Sequence, residues 1–294
     1  MLQRLRSAMS ERRVKEIVRV TISNVKIDRV NVAAGAFAFR WFLAIFPIII
    51  ALLGIAALVA IPSNLVVSLI HGVSKSLPSA AAQVFAKALR HTAKRTSTDL
   101  WATVVASVVA LWSATSGMVI VEEGLDMAYG LTEKRSFVTM RILALPLLAG
   151  ATILGGAASA LVIFGLPIGN LIKDSVPVAG PAFGATWTTL RWLLALGLMN
   201  LLFSLLYYVA PNRPRQKWRW TSAGALFATI LWSVVSLGFS LYTSSFGSYA
   251  KTYGAFAGVA ILIFWLYLTG LAILVGGEVN AAIESLSKPP DNPG

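Results

Sequence analysis

The chain has 294 residues, 57% of them hydrophobic and 13% charged, with a net charge of +13 and no cysteine. Soluble domains carry about 25% charged residues, so the composition argues against a soluble enzyme, and without thiols neither disulfides nor thiolate metal centres can form. The surplus of Lys and Arg would suit a phosphate backbone, but its clusters sit beside long apolar runs, as in the cytoplasmic loops of membrane proteins. No nucleic-acid partner is therefore expected.

Residues 1–32 form a basic arm. Val14, Ile17, Val18, Ile22 and Val25 recur at helical spacing, with Arg13, Lys15, Arg19 and Lys26 elsewhere on the turn. This fits an amphipathic helix lying on the membrane surface; a solvated orienting arm is the alternative. No secretory leader is expected, because the first apolar run is too long for one and follows this arm.

That run, 33–61, exceeds the roughly 20 residues needed to cross a bilayer, and Pro47 offers a kink. Residues 62–98 read as a long outer loop with short amphipathic helices. Further spans are expected at 100–121, 142–166, 187–209, 221–244 and 254–283. The third is rich in small residues (Gly150, Gly155, Gly156, Ala157, Ser159), which let helices approach closely in lipid. The predicted architecture is all-α: a basic arm (1–32), a six-helix transmembrane domain (33–284) and a disordered tail (285–294). With the N-terminus inside, sixteen Lys and Arg fall on inner segments and eight on outer ones. That bias places both termini in the cytoplasm. No internal repeat of the inverted-transporter kind is evident.

Arg40 lies about 10 Å into the first span, counting 1.5 Å per residue. An arginine there either snorkels to the surface or faces a partner. Glu278 is the best partner by depth, with Glu122 and Glu123 as rivals, and such a pair could be a structural clamp or part of a transport path. Glu122, Glu123 and Asp126 themselves read as a charged helix end at the membrane surface. Thr229, Ser233, Ser236, Ser240 and Thr243 line one face of the fifth span, and Asn200, Ser204, Tyr207 and Tyr208 recur at comparable spacing on the fourth. These faces either border a hydrated cavity or glue helices together. No phosphate loop, zinc-protease motif or nucleophile elbow is present, and His71 and His91 are too few for a histidine-built metal centre. Neither a cofactor nor a metal is expected.

Several segments, in order, carry a family resemblance. They are Ala38 to Pro47, Trp112-Ser113-Ala114, Ala128-Tyr129-Gly130, Pro211-Asn212-Arg213, Phe246 to Tyr249, Tyr253 to Gly258, Trp265-Leu266-Tyr267 and Gly276-Gly277-Glu278-Val279-Asn280. With these the chain resembles the YihY/BrkB family of bacterial inner-membrane proteins, formerly labelled ribonuclease BN. Gly277 departs from the alanine, and Asp126 from the asparagine, common in that family. The resemblance implies six helices, cytoplasmic termini and a link to envelope integrity, with no secure biochemical activity. The resulting expectation is a transporter-like, non-enzymatic protein handling a lipid or small solute among membrane lipids. Its pathway residues would be Arg40, Asn200, Ser204, Tyr207, Ser233, Ser236, Glu278 and Asn280. The alternative is a scaffolding protein of the envelope.

Overall fold

The computed structural model describes residues 2–58, 100–131, 135–175, 182–213, 220–244 and 255–287. Every regular element among them is helical: α1 (Leu2–Ile27), α2 (Val30–Leu58), α3 (Leu100–Ala128), α4 (Phe137–Gly150), α5 (Gly156–Ser175), α6 (Ala182–Val209), α7 (Ala223–Ser244) and α8 (Ala255–Ser285). A π-helical turn, Ala151–Gly155, joins α4 to α5 into one rod. Among the described residues five helical stretches are long and apolar enough to cross a membrane, and α2 adds the apolar stretch Val30–Ile45. The second and third spans run further than expected, to Ala128 and to Ser175. The expected outer-loop helices (62–98) and the end of the tail lie outside the described residues.

The helix ends follow from local chemistry. Gly130, at φ 64°, closes α3 in the left-handed region. Leu131 N–H then donates to the Asp126 carbonyl and Gly130 N–H to the Met127 carbonyl, a pairing that satisfies carbonyls the helix would otherwise orphan. Ser136 opens α4 by accepting the Thr139 amide at 3.2 Å, and Ser222 opens α7 by accepting the Ala225 amide at 3.1 Å; both are ordinary N-caps.

Packing is arranged for lipid rather than for water. Bulky side chains point outward: Leu193, Val234, Leu237 and Leu241 are all more than 60% exposed. The tightest contacts are instead made by small residues, with Ala34, Ala44, Ala144, Ala225, Ala228, Ala272 and Ala282 fully enclosed. Lipid tails are as apolar as leucine, so close backbone approach and dispersion hold the helices, not burial of large side chains. Gly276 shows how close: a Cβ there would lie 2.3 Å from Tyr207 Oη and 2.8 Å from the Gly224 carbonyl. A larger inner cluster (Phe37, Val121, Leu125, Leu147, Phe203, Leu206, Ile273) joins α2, α3, α4, α6 and α8.

Helix alternation brings the end of α3, the start of α4, the end of α6, the start of α7 and the end of α8 to one face of the bundle. α1 docks there too, Arg13 donating to Ser287 Oγ at 2.9 Å. Along α1, Thr21 is buried and Ile17 and Val25 half-buried, while Val14, Val18 and Ile22 are at least half exposed beside Lys15, Arg19 and Lys26.

Candidate functional site

At that face lies a cluster of polar side chains embedded in apolar helices. Its deepest members are Glu122 on α3 and Glu278 on α8, 1% and 0% exposed; the Glu122 carboxylate has no hydrogen-bond partner among the described residues. Taking a carboxylate out of water costs several kcal/mol, so these positions are expensive to keep acidic. Each has a distinct setting. Glu122 faces Arg135, whose Nη1 is 3.7 Å from Oε2. Glu278 has Asn24 and Asp28, at the end of α1, as its polar neighbours.

Arg135 is held by the stretch that follows α6. Its guanidinium donates to the carbonyls of Ala210 (2.6 Å) and Pro211 (3.0 Å) and to Asn212 Oδ1 (3.2 Å). Asn212 N–H in turn donates to Asp126 Oδ1 at 2.6 Å. Arg213 sits over the Tyr129 ring at 4.0 Å, pairs with Glu284 on α8, and reaches the Tyr207 carbonyl at 3.4 Å. Burial pushes the Tyr129 phenol up to about 12. Asn280 caps α7 from a neighbouring helix: its Oδ1 accepts the Gly224 amide at 2.8 Å and its Nδ2 donates to Ser222 Oγ at 2.9 Å. Tyr207 Oη donates to the Ile273 carbonyl at 2.7 Å, deep between α6 and α8. The segments Ala128–Gly130, Pro211–Arg213 and Gly276–Asn280, far apart in the chain, thus meet in one network.

Of the residues expected from sequence, Tyr207, Glu278 and Asn280 belong to this cluster. The others are placed differently. Arg40 does not pair with Glu278: it is exposed and makes no ion pair among the described residues. The reason is helical phase. The buried face of α2 is set by Ala34, Phe37, Ala38 and Ala44, and Arg40 falls off that face at 100° per residue. The polar faces of the fourth and fifth spans do meet, Asn200 Nδ2 donating to Thr229 Oγ1 at 3.4 Å. They meet by direct contact: Thr229 and Ser233 hydroxyls return to their own helix, at the Ala225 and Thr229 carbonyls. Ser204 is buried with its hydroxyl unpartnered, and Ser236 accepts the Trp265 indole N–H at 3.4 Å. An open groove lies instead between α7 and α8, lined by Val235, Gly238, Phe239, Tyr242, Phe264 and Leu268.

Glu122 departs from the sequence expectation. It was expected at a charged helix end on the membrane surface, yet it is enclosed while its neighbour Glu123 is exposed. α3 continues for six residues past Glu122, carrying that carboxylate inside the bundle. Arg135, Asn212 and Glu284 were not singled out as site residues; Pro211-Asn212-Arg213 was visible as a motif, but its partners were not. Among the described residues no three His, Cys, Asp or Glu side chains come together in a way that could hold a metal ion.

Fold and site together define a polytopic, all-α membrane protein with ionisable groups buried at one end of its bundle. The chain belongs to the family described as virulence factor BrkB, whose model matches residues 21–293. It is similar to the putative ribonuclease-like protein YfkH of Bacillus subtilis, at 34% identity over 88% of this chain and 91% of the relative. It is also similar to UPF0761 membrane proteins of Vibrio atlanticus (29% identity, 90% and 81% covered) and Vibrio vulnificus (28% identity, 90% and 82% covered). No solved structure matches.

Proposed function

We propose that the chain is a transporter-like protein, not an enzyme, that handles a lipid or small solute in the bacterial cytoplasmic membrane in support of envelope integrity, with both termini in the cytoplasm. One observation carries this reading: the carboxylates of Glu122 and Glu278 are enclosed within apolar helices. Ionisable residues at membrane depth are costly, and the usual reason to keep them is a substrate, ion or proton path. Arg135 neutralises part of the charge at Glu122, while Glu278 faces polar groups of α1 that could move with that helix. Lys and Arg on the inner segments orient the bundle so that this end of it lies on the cytoplasmic side.

The scaffold reading draws on a different observation, the direct packing of the fourth and fifth spans through Asn200 and Thr229. Reconstituted liposomes separate the two. Fluorescent phosphatidylglycerol in both leaflets is bleached from outside with dithionite, and a solute panel is run by solid-supported-membrane electrophysiology. Bleaching well beyond the outer leaflet, or a solute-driven current, lost in Glu122→Gln and Glu278→Gln, is the expected result. Bleaching limited to the outer leaflet together with no current from any solute favours the scaffold.

A further inference from the structure

A buried cation lies in the half of the bundle remote from the acidic cluster. Arg191 is on α6, inside the apolar span Phe183–Val209. At 1.5 Å per residue it stands about 27 Å along the helix from Val209, whose neighbour Ala210 belongs to the cluster. The packing of α6 on α5 explains how a charged side chain is held there. Trp187 and Arg191, one turn apart on α6, face Gly169 and Gly165, one turn apart on α5. A Cβ at Gly165 would lie 2.9 Å from Arg191 Cδ, and one at Gly169 2.3 Å from Trp187 Cδ1. Trp187 also donates its indole N–H to the Gly165 carbonyl at 2.6 Å. The aliphatic stem of Arg191 thus runs in a notch that a larger residue would close. Its guanidinium reaches the Trp192 ring, 5.7 Å from the centroid.

Among the described residues nothing balances that charge. Arg191 is 6% exposed, its Nε and Nη1 have no hydrogen-bond partner, and no carboxylate pairs with it. The sole acid on α5 or α6 is Asp174, nine residues beyond Gly165 and so about 13 Å further along α5. An arginine sheltered at membrane depth is costly to keep, and a buried charge ordinarily has a partner that satisfies it. The notch supplies none, which leaves donors of a planar fork free for an oxyanion. One guanidinium balances one negative charge, so a singly charged group fits better than a dianion. Trp192 is itself exposed, as are Leu193 and Leu194 beside it, so the guanidinium lies one ring away from lipid.

We infer that Arg191 binds a singly charged oxyanion on the molecule this protein handles, and hence that its substrate is an anion. The phosphodiester of an anionic phospholipid and the carboxylate of a small solute share that chemistry. Calling the molecule a substrate rests on the transporter reading; its binding at Arg191 is read without transport.

Native mass spectrometry and thermal melts of the delipidated full chain in neutral detergent test it, with phosphatidylglycerol, phosphatidylcholine and acetate as probes. Arg191→Met keeps a stem over Gly165 and removes the charge. Wild type is expected to bind phosphatidylglycerol in preference to phosphatidylcholine, or to bind acetate, and to melt higher with the anion bound. The first result assigns the oxyanion to a lipid, the second to a soluble solute. Arg191→Met is expected to bind that anion at least about tenfold more weakly, as suits the loss of a hydrogen bond to a charged group. Since no partner is orphaned, the empty Arg191→Met protein should melt no lower than wild type. Arg191→Lys keeps the charge without the fork and should bind more weakly than wild type at an unchanged melting temperature. A lower melting temperature of empty Arg191→Met makes Arg191 a structural tie and overturns the site. Equal binding of the two lipids with no response to acetate overturns it too, as does anion binding that survives Arg191→Met. Liposomes without flux would leave this binding standing, and a lost site would leave any flux standing.

Discussion

Replacing Arg135 with Ala tests the acidic cluster most directly. Arg135 is the positive charge facing the enclosed Glu122, and it also ties the end of α6 to the start of α4 through three hydrogen bonds. Truncation leaves Glu122 as an uncompensated buried carboxylate, which costs about 3–5 kcal/mol when one partner of a buried pair is removed. The lost carbonyl bonds add to this, but water reaches this partly exposed face and restores part of their energy. A destabilisation of roughly 3–4 kcal/mol is expected. The measurement is a double-mutant cycle with Glu122→Gln, followed by SDS titration of the detergent-solubilised protein with far-UV circular dichroism. Glu122→Gln alone is isosteric and uncharged, so it should be near neutral. In that background Arg135→Ala should cost only about 1–2 kcal/mol, leaving a coupling of about 2 kcal/mol. An identical cost for Arg135→Ala in both backgrounds would refute the electrostatic argument, and Arg135 would then act only as a tie between backbone carbonyls.

Gly276→Ala should be poorly tolerated, with a cost above about 2 kcal/mol, because its Cβ meets the Gly224 backbone and the Tyr207 hydroxyl. Gly277→Ala should cost under about 1 kcal/mol, since its Cβ presses on the flexible end of Leu125; the same SDS titration ranks the two. Asn280→Ala removes the cap that α8 lends to α7, and should lower stability by about 1–2 kcal/mol and speed hydrogen exchange at the Gly224 amide. Tyr129 titrates near 12, above the ordinary phenol value of 10. Its proton is therefore held more tightly in the folded state, and its stabilisation, complete below pH 10, is lost as pH rises through 12. Thermal melts between pH 9 and 12 should show that decline flattened in Tyr129→Phe.

The helical spans were legible because the bilayer imposes a length and an apolar character on every crossing segment, and both are written along the chain. The boundaries were less so. α3 continues past Glu122 to Ala128 although its last turns carry Glu122, Glu123 and Asp126, because burial between helices, not bulk lipid, decides what those turns can hold. The motifs around Tyr129, Asn212 and Asn280 were visible as short strings, and their convergence was not, since it depends on which helix ends share a face. Glu278 was picked out by its depth, as a partner for Arg40, and within the Gly276–Asn280 motif; it is enclosed, but beside Asn24 and Asp28 instead. Arg40 shows where depth fails. Position in a span fixes how far a side chain lies from the surface, but the helix's rotation against its neighbours decides whether it faces protein or lipid. The sequence by itself determined that this is a helical membrane protein with its basic residues gathered beside the spans. Only the packing of α2 against α3 and of α3 against α8 decided that Glu122 is enclosed and Arg40 is not, because one residue's shift along a helix turns a side chain by 100°.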